Sequence, residues 1–256
     1  MAEPAIVVAG VSKCYRAFAG RQALLENLAR RMTGRAAPAR EMWALEDVSF
    51  TLDRGEALAV IGGNGVGKST LLKILAGIAV PTTGSVDVRV RISTQLALGS
   101  GFHPYLSGLD NVFLQGSILG MTNREVRRHL PSIVEFAGLD GAIERPLWTY
   151  STGMVGRLGF AVAAHVDFEC LLLDEALGGG DLAFRERCKD TLTRFRASGA
   201  TLVIVSHGSE ELRRLCDRGL WLDQGRVRAY GPLDEVLAEY EAWAGGSDAA
   251  EQKALP

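Results

Sequence analysis

Short apolar runs recur along the chain, separated by polar, glycine-containing turns, and most are too short to be helices. Ala57-Leu58-Ala59-Val60-Ile61, Cys170-Leu171-Leu172-Leu173 and Thr201-Leu202-Val203-Ile204-Val205 are almost unbroken, the pattern of strands buried on both faces. Ile6-Val7-Val8 reads as an opening strand. Residues 47–53 alternate instead, with Val48, Phe50 and Leu52 on one face of a half-buried strand. Pro81-Thr82-Thr83-Gly84 is a turn that leads into a predicted strand over 85–92. From about Leu109 to Val166 the pattern becomes helical, with Gly120, Pro131, Gly138 and Pro146 as punctuation. Leu220-Trp221-Leu222 and Val227-Arg228-Ala229 flank Asp223-Gln224-Gly225-Arg226, a hairpin signal. A helix over 233–243 closes the domain, and residues 244–256 are expected to form a disordered tail. Strands alternating with helices predict an α/β core with a mainly parallel sheet, and the helix-rich middle reads as an inserted subdomain at about 109–166.

One loop in this frame carries chemistry. Gly62-Gly63-Asn64-Gly65-Val66-Gly67-Lys68-Ser69-Thr70 has a glycine, four residues, then Gly-Lys-Ser, between a buried strand and the helical run Leu71–Leu75. Such a loop presents successive backbone N–H groups and a helix N-terminus to an anion. Gly62, Gly65 and Gly67 let the backbone approach phosphates, with Asn64 and Thr70 beside them. Lys68 neutralises β/γ charge, and the Ser69 hydroxyl can reach Mg²⁺. The chain is expected to bind a nucleoside triphosphate.

Three further segments extend that site. Leu171-Leu172-Leu173-Asp174-Glu175 ends a buried strand in two carboxylates: Asp174 for the Mg²⁺ shell and Glu175 to polarise an attacking water. Ser206-His207 follows the strand ending at Val205, where an open sheet gathers its ligands, and this puts His207 near the γ-phosphate as a hydrogen-bond partner. Tyr150-Ser151-Thr152-Gly153-Met154 opens a helical run, so Ser151 and Gly153 mark a second anion-binding helix start. One chain cannot easily bring two helix N-termini to one γ-phosphate. A head-to-tail dimer can, with Ser151 of one subunit facing Lys68 of the other. His103, His129 and His165 have no comparable context, and no metal-site spacing links them.

Bulk composition narrows the class only a little. Hydrophobic residues make up 47% and charged residues 23% of 256, ordinary for a globular protein. A formal charge of −2 argues against a broad nucleic-acid-binding surface. Cys14, Cys170, Cys188 and Cys216 are scattered without a C-x-x-C pair, as reduced thiols of a cytosolic protein would be. The first nine residues lack a secretory pattern, and no apolar run approaches the ~18–20 residues that span a bilayer. Any membrane role is expected to be peripheral.

Taken in order, these motifs resemble the nucleotide-binding subunit of an ATP-binding-cassette (ABC) transporter over almost all of residues 5–240. The resemblance implies an α/β P-loop fold with a mainly parallel core sheet, an antiparallel β subdomain and the inserted helical subdomain, in a single domain over 1–243. It identifies Tyr150–Met154 as the signature segment and Ala176–Asp181 as the dimer-contacting loop, with Asp181 among the nucleotide-binding residues. Tyr15 matches the aromatic that stacks on adenine. A glutamine touching Mg²⁺ usually follows the 85–92 strand. Gln95 is the candidate, although counting back from Leu106-Ser107 puts that position nearer Leu98. The Tyr-Ser-Thr-Gly-Met signature, the Gly99–Pro104 segment and about 25 extra residues between Tyr15 and Trp43 are similar to exporters of O-antigen, capsule and teichoic acid. That similarity implies ATP and Mg²⁺ as ligands and a homodimer docked beneath a permease dimer. It also implies a location at the cytoplasmic face of the inner membrane, moving a lipid-linked polymer outward.

The extra segment at about 19–40 carries Arg21, Arg30, Arg31, Arg35 and Arg40, with Leu24, Leu25, Leu28 and Met32 on one helical face. A basic amphipathic helix suits a lipid-diphosphate head group or a membrane surface, and equally a solvated arginine face packed on its own domain. Only 16 residues follow Tyr240, too few for the carbohydrate-binding domain that some O-antigen exporters add. An exporter ATPase for a lipid or drug, and a soluble ABC ATPase of DNA repair or translation, stay open as alternatives. The latter class usually carries long coiled coils or a second cassette, which this chain lacks. An inactive regulatory cassette conflicts with Lys68, Asp174, Glu175 and His207.

Overall fold

A computed structural model describes residues 3–17, 40–95, 101–174, 182–206 and 208–252. The basic segment expected over 19–40 lies almost wholly outside these residues. The strands are β1 (Pro4–Ala17), β2 (Arg40–Asp53), β3 (Ala57–Ile61), β4 (Thr83–Val88), β5 (Ile92–Gln95), β6 (Cys170–Asp174), β7 (Thr201–Val205), β8 (Arg218–Asp223) and β9 (Arg226–Pro232). The helices are α1 (Lys68–Leu75), α2 (Gly108–Ile118), α3 (Asn123–Ala137), α4 (Thr152–Ala163), α5 (Leu182–Ala197), α6 (Ser209–Leu215) and α7 (Leu233–Gln252), with a 3₁₀ turn at Leu147–Thr149.

Two sheets form. A six-stranded sheet runs β5-β6-β7-β3-β8-β9, parallel except for the antiparallel edge strand β9, and β2-β1-β4 makes a smaller antiparallel sheet. The unbroken apolar runs are its interior strands, and their alternate residues feed two cores. Leu58, Val60, Cys170, Leu172, Val203 and Val205 face the antiparallel sheet and α1. Ala57, Ala59, Ile61, Leu171, Leu173, Leu202 and Ile204 face the other way, towards Leu192 of α5, Leu212 of α6 and Leu237 of α7. At roughly 1.5–3 kcal/mol per fully buried large aliphatic side chain, these strands are held by both faces at once. Val48, Phe50 and Leu52 of β2 are buried as their alternation predicts.

Three expectations change. The strand predicted over 85–92 is two strands in different sheets: β4 pairs with β1, and β5 pairs with β6. Arg89 to Arg91 cross between the sheets, their carbonyls occupied by the Arg54 side chain (2.8 Å) and by the Glu169 and Cys170 amides (3.0 Å each). Pro131 lies inside α3 rather than at a boundary, on its exposed side. The closing helix continues past 243 to Gln252, so the segment expected as a disordered tail is helical to that point. Beyond Gly245-Gly246, Ala249-Ala250-Glu251-Gln252 are good helix formers.

The inserted helices have their own core of Val112, Val126, Ile133, Leu147 and Leu158. Phe160 of α4 and Phe184 of α5 tie this lobe to the main body, their rings 6.0 Å apart and nearly perpendicular. On another side of the lobe a crevice is lined by Arg91, Met121, Glu125, His129, His165 and Asp167. It brings together two histidines that sequence spacing leaves unrelated: the rings of His129 and His165 are 5.8 Å apart. Burial holds His165 below the ordinary imidazole value of 6.5; the Ala161 carbonyl at 2.7 Å opposes this, and the charges of His129 and Arg194 add to it. The unfolded chain therefore takes up this proton first, and stability falls as pH drops through the ordinary imidazole range. The melting temperature is expected to decrease between about pH 7.5 and 5.5, and His165→Asn to flatten that dependence. An equal pH dependence in the variant would contradict the assignment. Cys170, Cys188 and Cys216 are free thiols pushed up to about 12 by burial, and so are unreactive near neutrality.

Candidate nucleotide site

The phosphate loop sits where the register of the main sheet gathers strand ends. Val60 of β3 pairs with Val205 of β7, and Val205 pairs with Asp174 of β6. Ile61-Gly62, Ser206 and Asp174 therefore emerge along one edge. At about 4.8 Å per strand, Asp174 stands roughly 10 Å across the sheet from the start of the loop, space for phosphates and a hydrated cation.

Gly62, Gly65 and Gly67 all have positive φ, at 145°, 77° and 110°. At Gly62 and Gly67 space is a second constraint. A Cβ on Gly62 would lie 2.2 Å from the Leu222 carbonyl oxygen, and one on Gly67 would lie 2.3 Å from that of Ala44. Gly67 is the N-cap of α1 and supplies no capping side chain, so first-turn N–H groups of the helix are left for a ligand. Helices of the inserted lobe differ. Ser107 and Thr122 close capping boxes over α2 and α3 with Asp110 and Glu125. Leu71, Leu72, Ile74 and Leu75 bury α1 in the core, fixing its N-terminus. Lys68 is buried and donates from Nζ to the carbonyls of Gly62 and Gly63, 2.8 Å each, which arches the loop over its ammonium.

Ser69, next in α1, has an exposed side chain, and Asp174 is partly exposed at the end of β6. Both offer hard oxygen donors, the ligand type that Mg²⁺ takes one or two at a time while keeping water and phosphate oxygens. The donor set fits that ion. Among the described residues no group of three or more His, Cys, Asp or Glu side chains could hold a metal alone. Ser151 is the N-cap of α4, its exposed hydroxyl accepting from the Met154 amide at 3.2 Å, with Gly153 the second residue of the helix. Tyr15 is 37% exposed on β1, opposite Met42 of β2, with Lys13 Nζ 5.2 Å from its ring centre; it is a platform open to solvent rather than a core tyrosine.

Gln95 is the last residue of β5 and pairs with Leu173, which puts its backbone beside the strand that carries Asp174. Its side chain, Leu98, Glu175, Asp181 and His207 lie outside the described residues. Ser206, just before His207, accepts from the Gly208 amide (3.2 Å) and donates to Glu211 (3.1 Å). Two contributions escaped sequence reasoning. Asn111, fully buried, binds the backbone of His103, Leu106 and Ser107, shaping the loop before α2. The β8–β9 hairpin supports the phosphate loop, although its sequence signals only a turn.

The ABC transporter family profile matches residues 45–178, spanning the loop, the helical lobe and Asp174. The O-antigen export system ATP-binding protein RfbB of Klebsiella pneumoniae is 41% identical over 202 residues, covering 79% of this chain and 82% of that protein. This chain belongs to the ABC transporter family. It is the ATP-binding cassette of such a transporter. The protein of the same name from Myxococcus xanthus is 45% identical over 197 residues, which are 77% of this chain and 45% of that longer protein. The teichoic acids export ATP-binding protein TagH of Bacillus cereus is 38% identical over 201 residues, 78% of this chain and 36% of TagH. The fold matches a dimeric post-hydrolysis structure of the ATP-binding cassette MJ0796 bound to ADP and Pi, with TM-score 0.72 and 22% identity over 89% of this chain and 98% of that one. The expected α/β cassette, with its parallel core and antiparallel and helical additions, is the fold observed. No described helix of this ABC cassette is long and apolar enough to cross a membrane.

Proposed function

We propose that this cassette hydrolyses ATP to drive export of a lipid-linked surface polysaccharide (O-antigen, capsular polysaccharide or teichoic acid). It works as a homodimer beneath a permease dimer at the cytoplasmic face of the bacterial inner membrane. The observation that carries the cargo is the 41% identity to the Klebsiella O-antigen export protein across 82% of that protein's length. The geometry of the phosphate loop supports the ATP chemistry.

In this reading the adenine stacks on the exposed face of Tyr15. The α1 amides, the loop glycines and Lys68 hold the β- and γ-phosphates, with Asn64 and Thr70 at the loop's rim. Ser69 and Asp174 would hold Mg²⁺, with Gln95 as a further candidate ligand, and the ion would supply charge neutralisation for the phosphates. Ser151 and the Gly153 amide of the partner chain close over the γ-phosphate, and Asp181 lies on the same dimer contact. Glu175 orients the attacking water and takes its proton, and His207 donates to the γ-phosphate. Two ATP molecules shared across the interface hold the dimer shut, and hydrolysis releases it. The permease converts that change into transport, because ATP binds the closed state better than the open one.

The test is to purify tagged chain from detergent-solubilised membranes of its host and identify what accompanies it by mass spectrometry. An integral-membrane permease in equal amount is the expected result. Recovery only from the soluble fraction, on ribosomes or DNA, would overturn export.

A further inference from the structure

Both ends of the phosphate loop rest on a hairpin far away in sequence. Gln224 and Gly225, with φ of 48° and 78°, form the two-residue turn between β8 and β9. The Gly225 N–H donates to the Val66 carbonyl at 3.1 Å, and the Gly225 carbonyl accepts from the Glu46 N–H at 2.8 Å. Arg226 adds an ion pair to Glu46. Gly62, at the loop's other end, lies so close to the Leu222 carbonyl of β8 that no side chain fits between them. The Ala44 carbonyl of β2 is wedged in the same way: a Cβ on Gly67 would stand 2.3 Å from it and one on Gly225 3.0 Å. Three stretches of chain, Ala44–Glu46, Gly62–Gly67 and Leu222–Arg226, thus meet backbone to backbone.

One of these bonds acts directly on phosphate-binding geometry. Val66 C=O and Gly67 N–H belong to the same peptide unit. In a planar trans peptide they point in opposite directions, so fixing one fixes the other. The Gly225 amide draws the Val66 carbonyl to the hairpin and thereby turns the Gly67 N–H to the opposite side, at the start of α1. We propose that the β8–β9 hairpin is a positioning element of the nucleotide site: Gly225, acting through Val66, aims the Gly67 N–H at the phosphates of ATP. The proposal rests on the ATP-binding reading above. Gly225 is a positioning residue, since it touches the loop and not the nucleotide.

The consequence is a split between affinity and turnover. Gly225→Ala forces a Cβ towards Ala44 and strains the left-handed turn, so the bond to Val66 loosens. ATP affinity by isothermal titration is expected to weaken about tenfold, with KM rising in parallel, while kcat at saturating ATP stays within about twofold. Gly231→Ala, in the same hairpin with open space around its Cα, is the matched control and should leave affinity and KM unchanged. A purely structural role would lower the melting temperature of Gly225→Ala and leave affinity alone. Wild-type-like affinity in the folded Gly225→Ala chain would therefore overturn the proposal. If that variant does not fold, hydrogen exchange on the wild-type chain decides: saturating ATP should slow exchange of the Gly225 amide about tenfold by linkage. An unchanged rate would overturn it. Failure of the wild-type chain to bind ATP would instead overturn the ATP reading and this proposal with it.

Discussion

Glu175→Gln is expected to lower ATP turnover by about 10²–10⁴-fold, or about 2.7–5.5 kcal/mol in the barrier, the usual worth of a positioned general base. The amide keeps the size of the carboxylate and can still orient a water, but it cannot take the water's proton. Lys68, Ser69 and the loop amides are untouched, so ATP affinity should change little. The ATP-loaded state then accumulates instead of being consumed, and any dimer held by shared ATP should persist. The measurement is phosphate release at saturating ATP, set beside a binding isotherm on the same preparation. Turnover near wild type would remove Glu175 from the role of base.

Lys68→Ala should fail at the step before. Lys68 donates to the carbonyls of Gly62 and Gly63 and is buried beneath the loop it arches. The substitution removes both the positive charge offered to the phosphates and the strut that holds the loop's curve. Charge-assisted hydrogen bonds are worth about 1.5–3 kcal/mol each, so ATP affinity should fall about 10- to 100-fold. Turnover is lost because little nucleotide is bound. The two variants thus separate binding from chemistry: one retains ATP without cleaving it, the other cleaves little because it scarcely holds ATP. Undiminished affinity in Lys68→Ala would show that the amides of the loop suffice.

Local pattern carried far where a single element explains a residue. The runs at 57–61, 170–173 and 201–205 were readable because both of their faces are buried, which leaves no polar positions to obscure them. The phosphate loop was readable because its chemistry is confined to nine successive residues, Gly62 to Thr70. Ser151 was readable as a helix start because its side chain caps its own helix. What escaped is set by tertiary partners. Nothing local distinguishes one strand over 85–92 from two that part company at Arg89, since the switch depends on β1 and β6 as partners. The pairing of His129 with His165 arises from packing of α3 against the end of α4, and the seat of the phosphate loop on Leu222 and Gly225 joins segments far apart in the chain. Gly225 looked like a turn glycine, and it is one; its carbonyl and amide also serve two other segments.

The proposed mechanism requires ATP to close two copies of this chain around shared sites, with Ser151 of each completing the site of the other. Sedimentation of the Glu175→Gln chain with and without Mg-ATP tests this most directly. A shift from one chain to two is expected on adding ATP, and loss of that shift when Ser151→Arg is added to the same chain. A single chain at every ATP concentration that saturates binding, or a dimer indifferent to Ser151→Arg, would contradict it.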